Sequence, residues 1–396
     1  QHELVSTEVR ELATTSPAAA RAVISLYRAY RGSKELSSEL SSHFSDGNDS
    51  GSDAGTHERP RLPSEEVSEY LQRHNNHFPE LEEAAEQVWR DAKLNGDELY
   101  AGLVRYLNGA FGVEVRLARW GQERGRTVRR YDPDTKVVTL SELLATRSRR
   151  FQIAHQVALL ATRPLLQRLS EDPIFTTDES RALARVTLAN YFAGAMLMPY
   201  REFLQAAREE RYDLDVLGRR FRVGFEQTCH RVTTLRRPGA EGVPFHMLRI
   251  DVAGNISKRF SASGIHFARF SGACPRWNVF SAFMTPGLIR IQLSQMPDGT
   301  RYFCLARTVH KDSSGYHAPQ PVMAIGLGCQ MQHARELVYS DGVDLENPGA
   351  MVPVGITCRL CERPHCEQRA LPSLRKPLRI DENVRGLSLY AMDEQR

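Results

Sequence analysis

A tight cluster of cysteines constrains the fold of this 396-residue chain more than any other sequence feature. Three of its seven cysteines, Cys358, Cys361 and Cys366, follow one another in the pattern C-x2-C-x4-C. Pro364 interrupts the segment, so the sequence predicts a turn in which the three sulfur atoms can converge on one point. A disulfide, a zinc ion or an iron–sulfur cluster could account for such a cluster.

The remaining cysteines bear on that choice. An odd number of cysteines, outside the context of a small secreted domain, argues against a disulfide framework. Zinc ribbons usually pair two C-x2-C knuckles, and the chain contains no second C-x2-C. A [4Fe-4S] cluster takes four thiolates, so three clustered cysteines and one remote cysteine match it, although spacing alone leaves zinc open.

Cys274 is the predicted fourth ligand, because it lies in the turn-forming sequence Gly-Ala-Cys-Pro. Cys329, in Gly-Leu-Gly-Cys-Gln, is the second choice. Cys229 and Cys304 follow helical and strand patterns, in which a buried, inert thiol is the usual outcome. His365 is predicted to support the site from outside the ligand set.

Composition indicates an ordinary globular protein. The chain is 41% hydrophobic with a formal net charge of +4, and its length predicts two or three domains. This modest net charge does not indicate nucleic-acid binding by the chain as a whole. No run approaches the roughly 18 apolar residues of a membrane span and no secretory signal is visible, so we expect a cytoplasmic protein. The start lacks an initiator Met, which suggests that an upstream segment is missing.

The predicted fold class is α+β, in four segments. Residues 1–36 contain one amphipathic helix, and residues 37–62, rich in Ser, Gly and Asp, are predicted as a flexible linker. Residues 63–236 are predicted to be mostly helical, with Ser64 as the first N-cap and short strands around a Pro-Asp turn. Residues 237–396 alternate short apolar runs with turns, including a Pro-Asp-Gly hairpin turn, and predict an α+β domain that holds the cysteines.

One predicted helix resembles the H-E-x-x-H helix of zinc peptidases, which presents two imidazoles and a Glu base. Here His155 occupies the position of the first ligand, but Gln156 stands at the position of the base and Leu159 at that of the second ligand. An amide cannot take a proton from water, and residues 181–200 contain no Asp or Glu to serve as a third ligand. We therefore expect no enzyme activity, and His155 to be an ordinary residue of a packing face.

Two blocks of sequence carry a family resemblance. "RRFQIAHQVALL" followed by "LANYFAGAMLMPY" is similar to the ImmA/IrrE-type metallopeptidase domain and its A-N-x-F-A-x-x-L-M-P pattern. Joined to "HMLRIDVAGNISKRFS" and "GITCRLCERPHCEQRALPSL", the chain from about residue 60 resembles the short-chain fatty acyl-CoA regulator family. The departures at Gln156 and Leu159 imply a peptidase scaffold that was kept after its catalysis was lost.

The resemblance implies a transcriptional regulator that senses a short-chain acyl-CoA such as propionyl-CoA and controls propionate and short-chain fatty acid catabolism. Members bind promoter DNA through an N-terminal helix-turn-helix domain, which this chain would lack, and one branch carries a [4Fe-4S] cluster. Paired DNA half-sites further predict a homodimer. The alternatives are a structural zinc protein and a residual metallopeptidase-like enzyme.

An acyl-CoA site needs cations for its phosphates, a face for adenine and a small apolar pocket for the acyl group. The first candidate is a predicted loop at "AGNISKRFS", in which Ser257, Lys258 and Arg259 combine charge with free backbone N–H groups. A solvated turn between strands is the alternative interpretation.

The second candidate is the beginning of the degenerate peptidase helix, where three cations lie close together. These are Arg147, Arg149 and Arg150. If the vacated catalytic cleft is the pocket, four residues would line its acyl end, although each could instead be plain core. These are His155, Tyr191, Met198 and Tyr200.

Overall fold

Helices around a small sheet form the first half of the described chain. The computed structural model describes residues 62–118, 127–265, 267, 273–310, 320–358, 361–363 and 366–373. The helices are α1 (Pro63–Arg73), α2 (Pro79–Asp91), α3 (Leu99–Phe111), α4 (Thr146–Ala161), α5 (Arg163–Leu169), α6 (Asp178–Leu197), α7 (Tyr200–Glu209), α8 (Leu214–Arg220) and α9 (Phe225–Thr233). The predicted helix within residues 1–36 and the linker up to residue 61 lie outside the described residues.

Helix α1 begins two residues earlier than its sequence predicts. Leu62 occupies the N-cap position and Pro63 the first helical position, so the prediction of Ser64 as the N-cap is wrong. Proline suits the first position because its fixed φ is already helical and that position needs no N–H donor. The predicted apolar face is confirmed, since Val67 and Tyr70 are buried.

A three-stranded sheet lies beside these helices. It consists of β1 (Glu114–Ala118), β2 (Arg129–Asp132) and β3 (Val137–Ser141), in the order β1-β3-β2. Strand β3 is parallel to β1 and antiparallel to β2, which it follows across the predicted Pro-Asp turn. Val138 and Leu140 of the central strand are fully buried in the core.

Helices α4 and α6 pack against each other at the centre of this half. Ile153, Ala154 and Val157 of α4 are fully buried, as are Ala189 and Phe192 of α6. Helix α6 begins after Thr177, whose side-chain oxygen accepts the N–H of Ser180 at 3.1 Å and so caps the helix. In the described ranges no helix has the length and apolar character that crossing a membrane requires.

A six-stranded sheet dominates the second half. Its strands are β4 (His246–Asp251), β5 (Ile256–Ser261), β6 (Arg290–Gln295), β7 (Arg301–His310), β8 (Val322–Gln330) and β9 (Met351–Pro353), with a short helix α10 (Asn278–Ser281) packed against β6, β7 and β8. The order is β5-β4-β8-β7-β6-β9, and all neighbours are antiparallel except β6 and β9. The predicted hairpin turn between β6 and β7 is confirmed, with Gly299 at a φ of +87°.

Helix α1 holds the outer edge of strand β5 through one side chain. The amide Nε2 of Gln72 donates to the carbonyl of Ser261 at 2.6 Å, and the N–H of Ser261 donates to Gln72 Oε1 at 3.1 Å. The amide thus binds the edge strand as a neighbouring strand would. It links the helical half to the sheet.

One hydrophobic core runs through both halves. It includes Val232 and Leu235 from the helical half together with Phe245, Phe303 and Leu327 from the sheet. A second, smaller cluster contains Cys274, Trp277 and Val354. The predicted order of a mostly helical domain followed by a sheet domain is confirmed, and the predicted boundary after residue 236 falls within the larger core.

Candidate functional site

Four cysteines from two distant segments line one pocket in the second half. Cys358, Cys361 and Cys366 follow β9, whereas Cys274 precedes α10. Cys274, Cys358 and Cys366 are buried and Cys361 is half-buried, and all seven cysteines of the chain are free thiols. The structure therefore brings together the four cysteines of the predicted ligand set.

Main-chain contacts hold the two segments together. The N–H of Cys274 donates to the carbonyl of Ile356 at 3.0 Å, and the indole N–H of Trp277 donates to the carbonyl of Gly355 at 3.0 Å. A Cβ atom added at Gly355 would stand 2.9 Å from the sulfur of Cys361, which is closer than real Cβ contacts. Glycine at this position therefore leaves room for one of the four sulfurs.

A buried arginine braces the loop that carries the clustered cysteines. Arg369 is 4% exposed. It donates from Nη1 to the carbonyl of Cys358 at 2.9 Å, and from Nη2 to the carbonyls of Cys361 at 3.0 Å and Arg363 at 2.7 Å. The N–H of Ala370 donates to the sulfur of Cys358 at 3.5 Å. Hydrogen bonds of this kind orient metal-binding sulfurs and tune the metal that they hold.

The thiols that share this pocket influence one another. Burial raises the pKa of the Cys274 thiol, and the neighbouring Cys358 and Cys361 raise it further. Among the described residues, no three His, Cys, Asp or Glu side chains form a group that could hold a metal ion. A single zinc ion needs all its sulfur ligands at about 2.3 Å, whereas the four thiolates of a cubane cluster bind four different iron atoms. The two kinds of site therefore differ in how close together the sulfurs must lie.

The other three cysteines lie outside this pocket. Cys329, the second choice as fourth ligand, is fully buried in β8 within the larger core. Cys229 is fully buried in α9, and burial raises the pKa of Cys304 in β7 to about 11. These surroundings keep both thiols protonated at neutral pH, as expected for inert thiols. The predicted supporting residue His365 lies outside the described residues.

The remnant of the peptidase motif holds an arginine instead of a metal. Nη1 of Arg129, in β2, lies 2.7 Å from Nδ1 of His155 and donates to the carbonyl of Gln152 at 3.1 Å. Burial, followed by the charge of Arg129, lowers the pKa of His155 to about 4. Gln156 is buried and its Oε1 has no hydrogen-bond partner among the described residues. The positive charge of Arg129 beside the imidazole disfavours a metal cation at His155.

A separate cleft of about 690 Å³ opens near the N-terminal end of helix α4, between α2, α7 and the end of α8. Apolar and aromatic side chains line its interior, including Leu99, Leu197, Trp89, Tyr200 and Phe221. Five arginines surround them, namely Arg90, Arg150, Arg201, Arg220 and Arg222. Four carboxylates also line the cleft, namely Glu82, Glu86, Asp97 and Glu202, and the first three are each paired with an arginine. The cleft is within the size range of small-molecule sites and combines apolar surface with several arginines.

Arg150 is the most deeply buried of these arginines. It is 7% exposed, Nη2 donates weakly to the carbonyl of Gly96 at 3.5 Å, and Nη1 is buried with no hydrogen-bond partner in the described chain. Burial and the charge of Arg222 lower its pKa, whereas Arg222 is itself paired with Asp97 at 2.8 Å. An unsatisfied buried donor costs about 1–3 kcal/mol, so an anion in this cleft would stabilise Arg150.

A buried ion pair supports one wall of the cleft. Glu82 lines the cleft, and its two carboxylate oxygens accept Nη1 and Nη2 of Arg231 at 2.6 and 2.9 Å. The hydroxyl of Tyr191 donates to Glu82 at 2.7 Å, and the carbonyl of Met198 accepts Nε of Arg231 at 2.9 Å. Burial alone would raise the pKa of Glu82, but Arg231 more than offsets it and holds that pKa below its usual range.

The predicted acyl-CoA residues are therefore divided between several places. Arg150 and Tyr200 line the cleft, whereas Tyr191 and Met198 are buried in the core and contact the ion pair. His155 lies beside Arg129 and not in the cleft.

The two other predicted arginines of helix α4 do not line the cleft. Arg147 is exposed, and Nη2 of Arg149 donates to the carbonyl of Glu142 at 2.5 Å.

The predicted phosphate loop has a different structure from the one expected. Ser257, Lys258 and Arg259 lie in strand β5 rather than in a loop. Nζ of Lys258 is 2.8 Å from Glu226, and Ser257 contacts Arg249. These side chains are engaged with the protein itself, away from the cleft.

Four of the five cleft arginines were missed, because they come from segments far apart in the chain. Arg90 belongs to α2, Arg201 to α7 and Arg220 to the end of α8, and Arg222 follows α8. They line one cleft only after these helices have packed, and no spacing pattern in the sequence relates them.

Comparison with known proteins covers both halves of the chain. Residues 108–233 match the IrrE N-terminal-like domain, and residues 234–390 match the C-terminal domain of the short-chain fatty acyl coenzyme A regulator family. A solved structure of a Mycobacterium tuberculosis transcriptional regulator superimposes with a TM-score of 0.79 at 44% sequence identity, covering 83% of this chain and 100% of that chain.

Relatives match almost end to end. The HTH-type transcriptional regulator PrpR of M. tuberculosis is 40% identical over 395 residues, which span 100% of this chain and 80% of PrpR. The propionyl-CoA carboxylase regulator of Cereibacter sphaeroides is 43% identical over 383 residues (97% and 79%), and RamB of M. tuberculosis is 40% identical over 391 residues (98% and 80%). All three are named as regulators, in agreement with the expectation that the chain is not an enzyme. The chain belongs to the short-chain fatty acyl coenzyme A regulator family of transcriptional regulators.

Proposed function

We propose that this regulator senses a short-chain acyl-CoA, propionyl-CoA above all, in the cleft that contains Arg150. The observation that carries the proposal is the buried Nη1 of Arg150, which has no partner in the described chain although the residue lines a cleft of about 690 Å³. Phosphate oxygens are strong acceptors for guanidinium groups, and an acyl-CoA carries several of them. The name of the C. sphaeroides relative, a propionyl-CoA carboxylase regulator, points to the same acyl group.

The cleft offers a separate surface for each part of such a ligand. Arg150 and Arg222 supply positive charge on one side, and Trp89, Tyr200 and Phe221 supply aromatic surface for the adenine or the acyl chain. Its walls come from α2, α4, α7 and the end of α8, so a ligand would contact several helices at once. A ligand acts as a switch only if it binds two arrangements of these helices with different affinity.

Calorimetry on the purified protein tests this proposal. Propionyl-CoA should bind more tightly than free CoA, and Arg150→Gln should weaken binding by roughly 10- to 100-fold, because one charged hydrogen-bonding group is lost. Arg147→Gln is the matched control, since it removes the same charge from an exposed position of the same helix. Absence of binding by both ligands, or equal losses in the two variants, would overturn the assignment of the cleft.

The second part of the proposal is that Cys274, Cys358, Cys361 and Cys366 hold a [4Fe-4S] cluster. The residues fit the group, because four thiols face one pocket, an N–H donates to the Cys358 sulfur and Gly355 leaves room beside Cys361. When bound, a cluster supplies an oxidant-sensitive centre whose four iron–thiolate bonds cross-link the two segments. Arg369 and Trp277 position those segments through their hydrogen bonds to the backbone.

Anaerobic purification followed by iron, sulfide and zinc analysis tests the cluster. We expect a coloured protein with four irons per chain. Cys274→Ser should lose the colour, and Cys304→Ser should keep it because Cys304 lies outside the pocket. A colourless protein with one zinc per chain would establish the structural zinc alternative instead.

The third part concerns DNA. Two relatives are named HTH-type regulators, and we propose that this protein controls promoters of propionate and short-chain fatty acid genes as a homodimer. Analytical ultracentrifugation and DNA-binding assays on a protein that includes a helix-turn-helix domain test this step. A monomer that binds promoter DNA with one half-site would contradict the homodimer.

A further inference from the structure

We infer that the vacated peptidase centre between β2 and α4 is a second anion site, which takes the carboxylate of a short aliphatic acid. The site consists of Arg129 with His155 behind it. It is distinct from the cleft that contains Arg150, because neither Arg129 nor His155 lines that cleft. The inference does not depend on acyl-CoA binding in the cleft.

Arg129 is a guanidinium held in place by only one of its nitrogens. Nη1 contacts both Gln152 and His155, whereas Nε and Nη2 make no hydrogen bond within the described residues. Burial lowers the pKa of Arg129 to about 10, and no carboxylate of the described chain offsets that effect. Arg129 is half-buried and has no counterion in the described chain, so an anion that accepts two parallel hydrogen bonds from Nε and Nη2 would be bound favourably there.

The imidazole of His155 holds this guanidinium without adding charge. Its Nδ1 faces Arg129 and it also hydrogen-bonds the backbone of Val186, so it is neutral and sits between the sheet edge and α6. Strand register places Arg129 in one row with Leu140 and Leu117, on the face that packs against the helices. The guanidinium is therefore fixed at the end of the interlayer space where a peptidase would place its metal.

The surroundings favour a carboxylate with a short apolar chain. One planar guanidinium matches the two oxygens of a carboxylate, whereas a phosphate dianion is usually bound by more than one charged group. In the described chain no second cation influences Arg129. Leu117, in the same row, is 52% exposed, and Val186, beside His155, is 45% exposed, so both offer apolar surface to an aliphatic chain.

Titration of the isotope-labelled protein with sodium propionate, followed by NMR at the arginine Nε–H signals, tests the inference. Propionate should shift the Arg129 signal in a saturable way. Arg129→Gln should bind propionate at least tenfold more weakly, whereas Arg130→Gln removes the same charge from the exposed, opposite face of β2 and should bind normally. Arg129→Lys keeps the charge but loses the paired N–H donors of the guanidinium, so it should also bind propionate more weakly. This variant replaces the glutamine variant in the test if the latter does not fold.

Other outcomes of the same titration would overturn the inference. Equal affinity for inorganic phosphate and propionate would mean that the site is not built for carboxylates. Equal loss in Arg129→Gln and Arg130→Gln, or no shift at all, would mean that no site exists there. The Arg129 signal reports on this site alone, whereas calorimetry with propionyl-CoA reports on the cleft, so a failure of the cleft proposal and a failure of this one would be distinguishable.

Discussion

The peptidase-like motif in helix α4 and the cysteine pocket after β9 differ in how their residues are brought together. One lies within a single helix, and the other is assembled from two distant segments. In α4 the motif is local, and the helix keeps its shape although Gln156 stands at the position of the base and Leu159 at that of the second ligand. In the cysteine pocket three cysteines come from one segment, but Cys274 comes from a distant one. A helix packed on a core survives the loss of its chemistry, whereas a site assembled from loops depends on each contact that joins them.

The two regions also differ in what stabilises them. Helix α4 buries Ile153, Ala154 and Val157 in the main core. The cysteine loop relies instead on hydrogen bonds from Arg369 and Trp277 to backbone carbonyls. Single substitutions should therefore have larger effects in the cysteine loop than around His155.

The largest effect is expected from Arg369→Met. The change removes a buried guanidinium that serves three carbonyls, and it should lower the free energy of unfolding by about 3 kcal/mol, measured by urea denaturation. Arg335→Met, at an exposed position, should change it by less than about 0.5 kcal/mol. Similar values for the two variants would show that the loop does not depend on Arg369.

Gly355→Ala should have the next largest effect. The added methyl would stand 2.9 Å from the Cys361 sulfur and displace it, at a cost of about 1–2 kcal/mol and with reduced metal content after purification. Gly109→Ala places the same methyl in open space on helix α3 and should be neutral or stabilising. Full metal content in Gly355→Ala would contradict the close fit.

A smaller effect is expected at His155 when Arg129 is replaced by Gln. Burial and the Arg129 charge together lower the pKa of His155 from 6.5 to about 4, so removing the charge should raise it part of the way back. Because the folded pKa is depressed, the neutral imidazole contributes stability above about pH 6.5, and that stability is lost as the pH falls towards 4. In Arg129→Gln the pH range over which this stability is lost should become narrower.

An NMR titration of the imidazole in both proteins measures the shift. An unchanged His155 pKa in the variant would mean that burial alone sets it.

The smallest effect, no gain at all, is expected from restoring the motif with Gln156→Glu and Leu159→His together. The guanidinium of Arg129 would still contact His155, and residues 181–200 would still supply no acidic third ligand. Zinc binding and peptide hydrolysis should stay at background in a fluorogenic assay. Measurable zinc-dependent hydrolysis would show that the two substitutions alone had removed the activity.

Local patterns in the sequence predicted much of the fold. The spacing of Val67 and Tyr70, the Pro-Asp turn and the Pro-Asp-Gly turn each reflect interactions within a few residues, and the structure confirms them. The N-cap of α1 was predicted wrongly because Pro63 favours the first helical position, which makes Leu62 the N-cap and puts Ser64 inside the helix.

Non-local assembly limited the prediction of the sites. Cys274 was chosen because it lies in a turn sequence, as the clustered cysteines do. The structure places it in the same pocket as those cysteines. No local pattern relates Arg90 to Arg222, which meet only after α2 and α8 have packed. Arg129 likewise reaches His155 only through the pairing of β2 at the sheet edge.

The larger hydrophobic core crosses the point where the two family matches meet, at residues 233 and 234. A break there would expose Val232 on one fragment and Leu235 and Phe245 on the other. Neither fragment would then keep a closed apolar interior. A chimaera that joins the halves of two different regulators would therefore have to match this interior side chain by side chain.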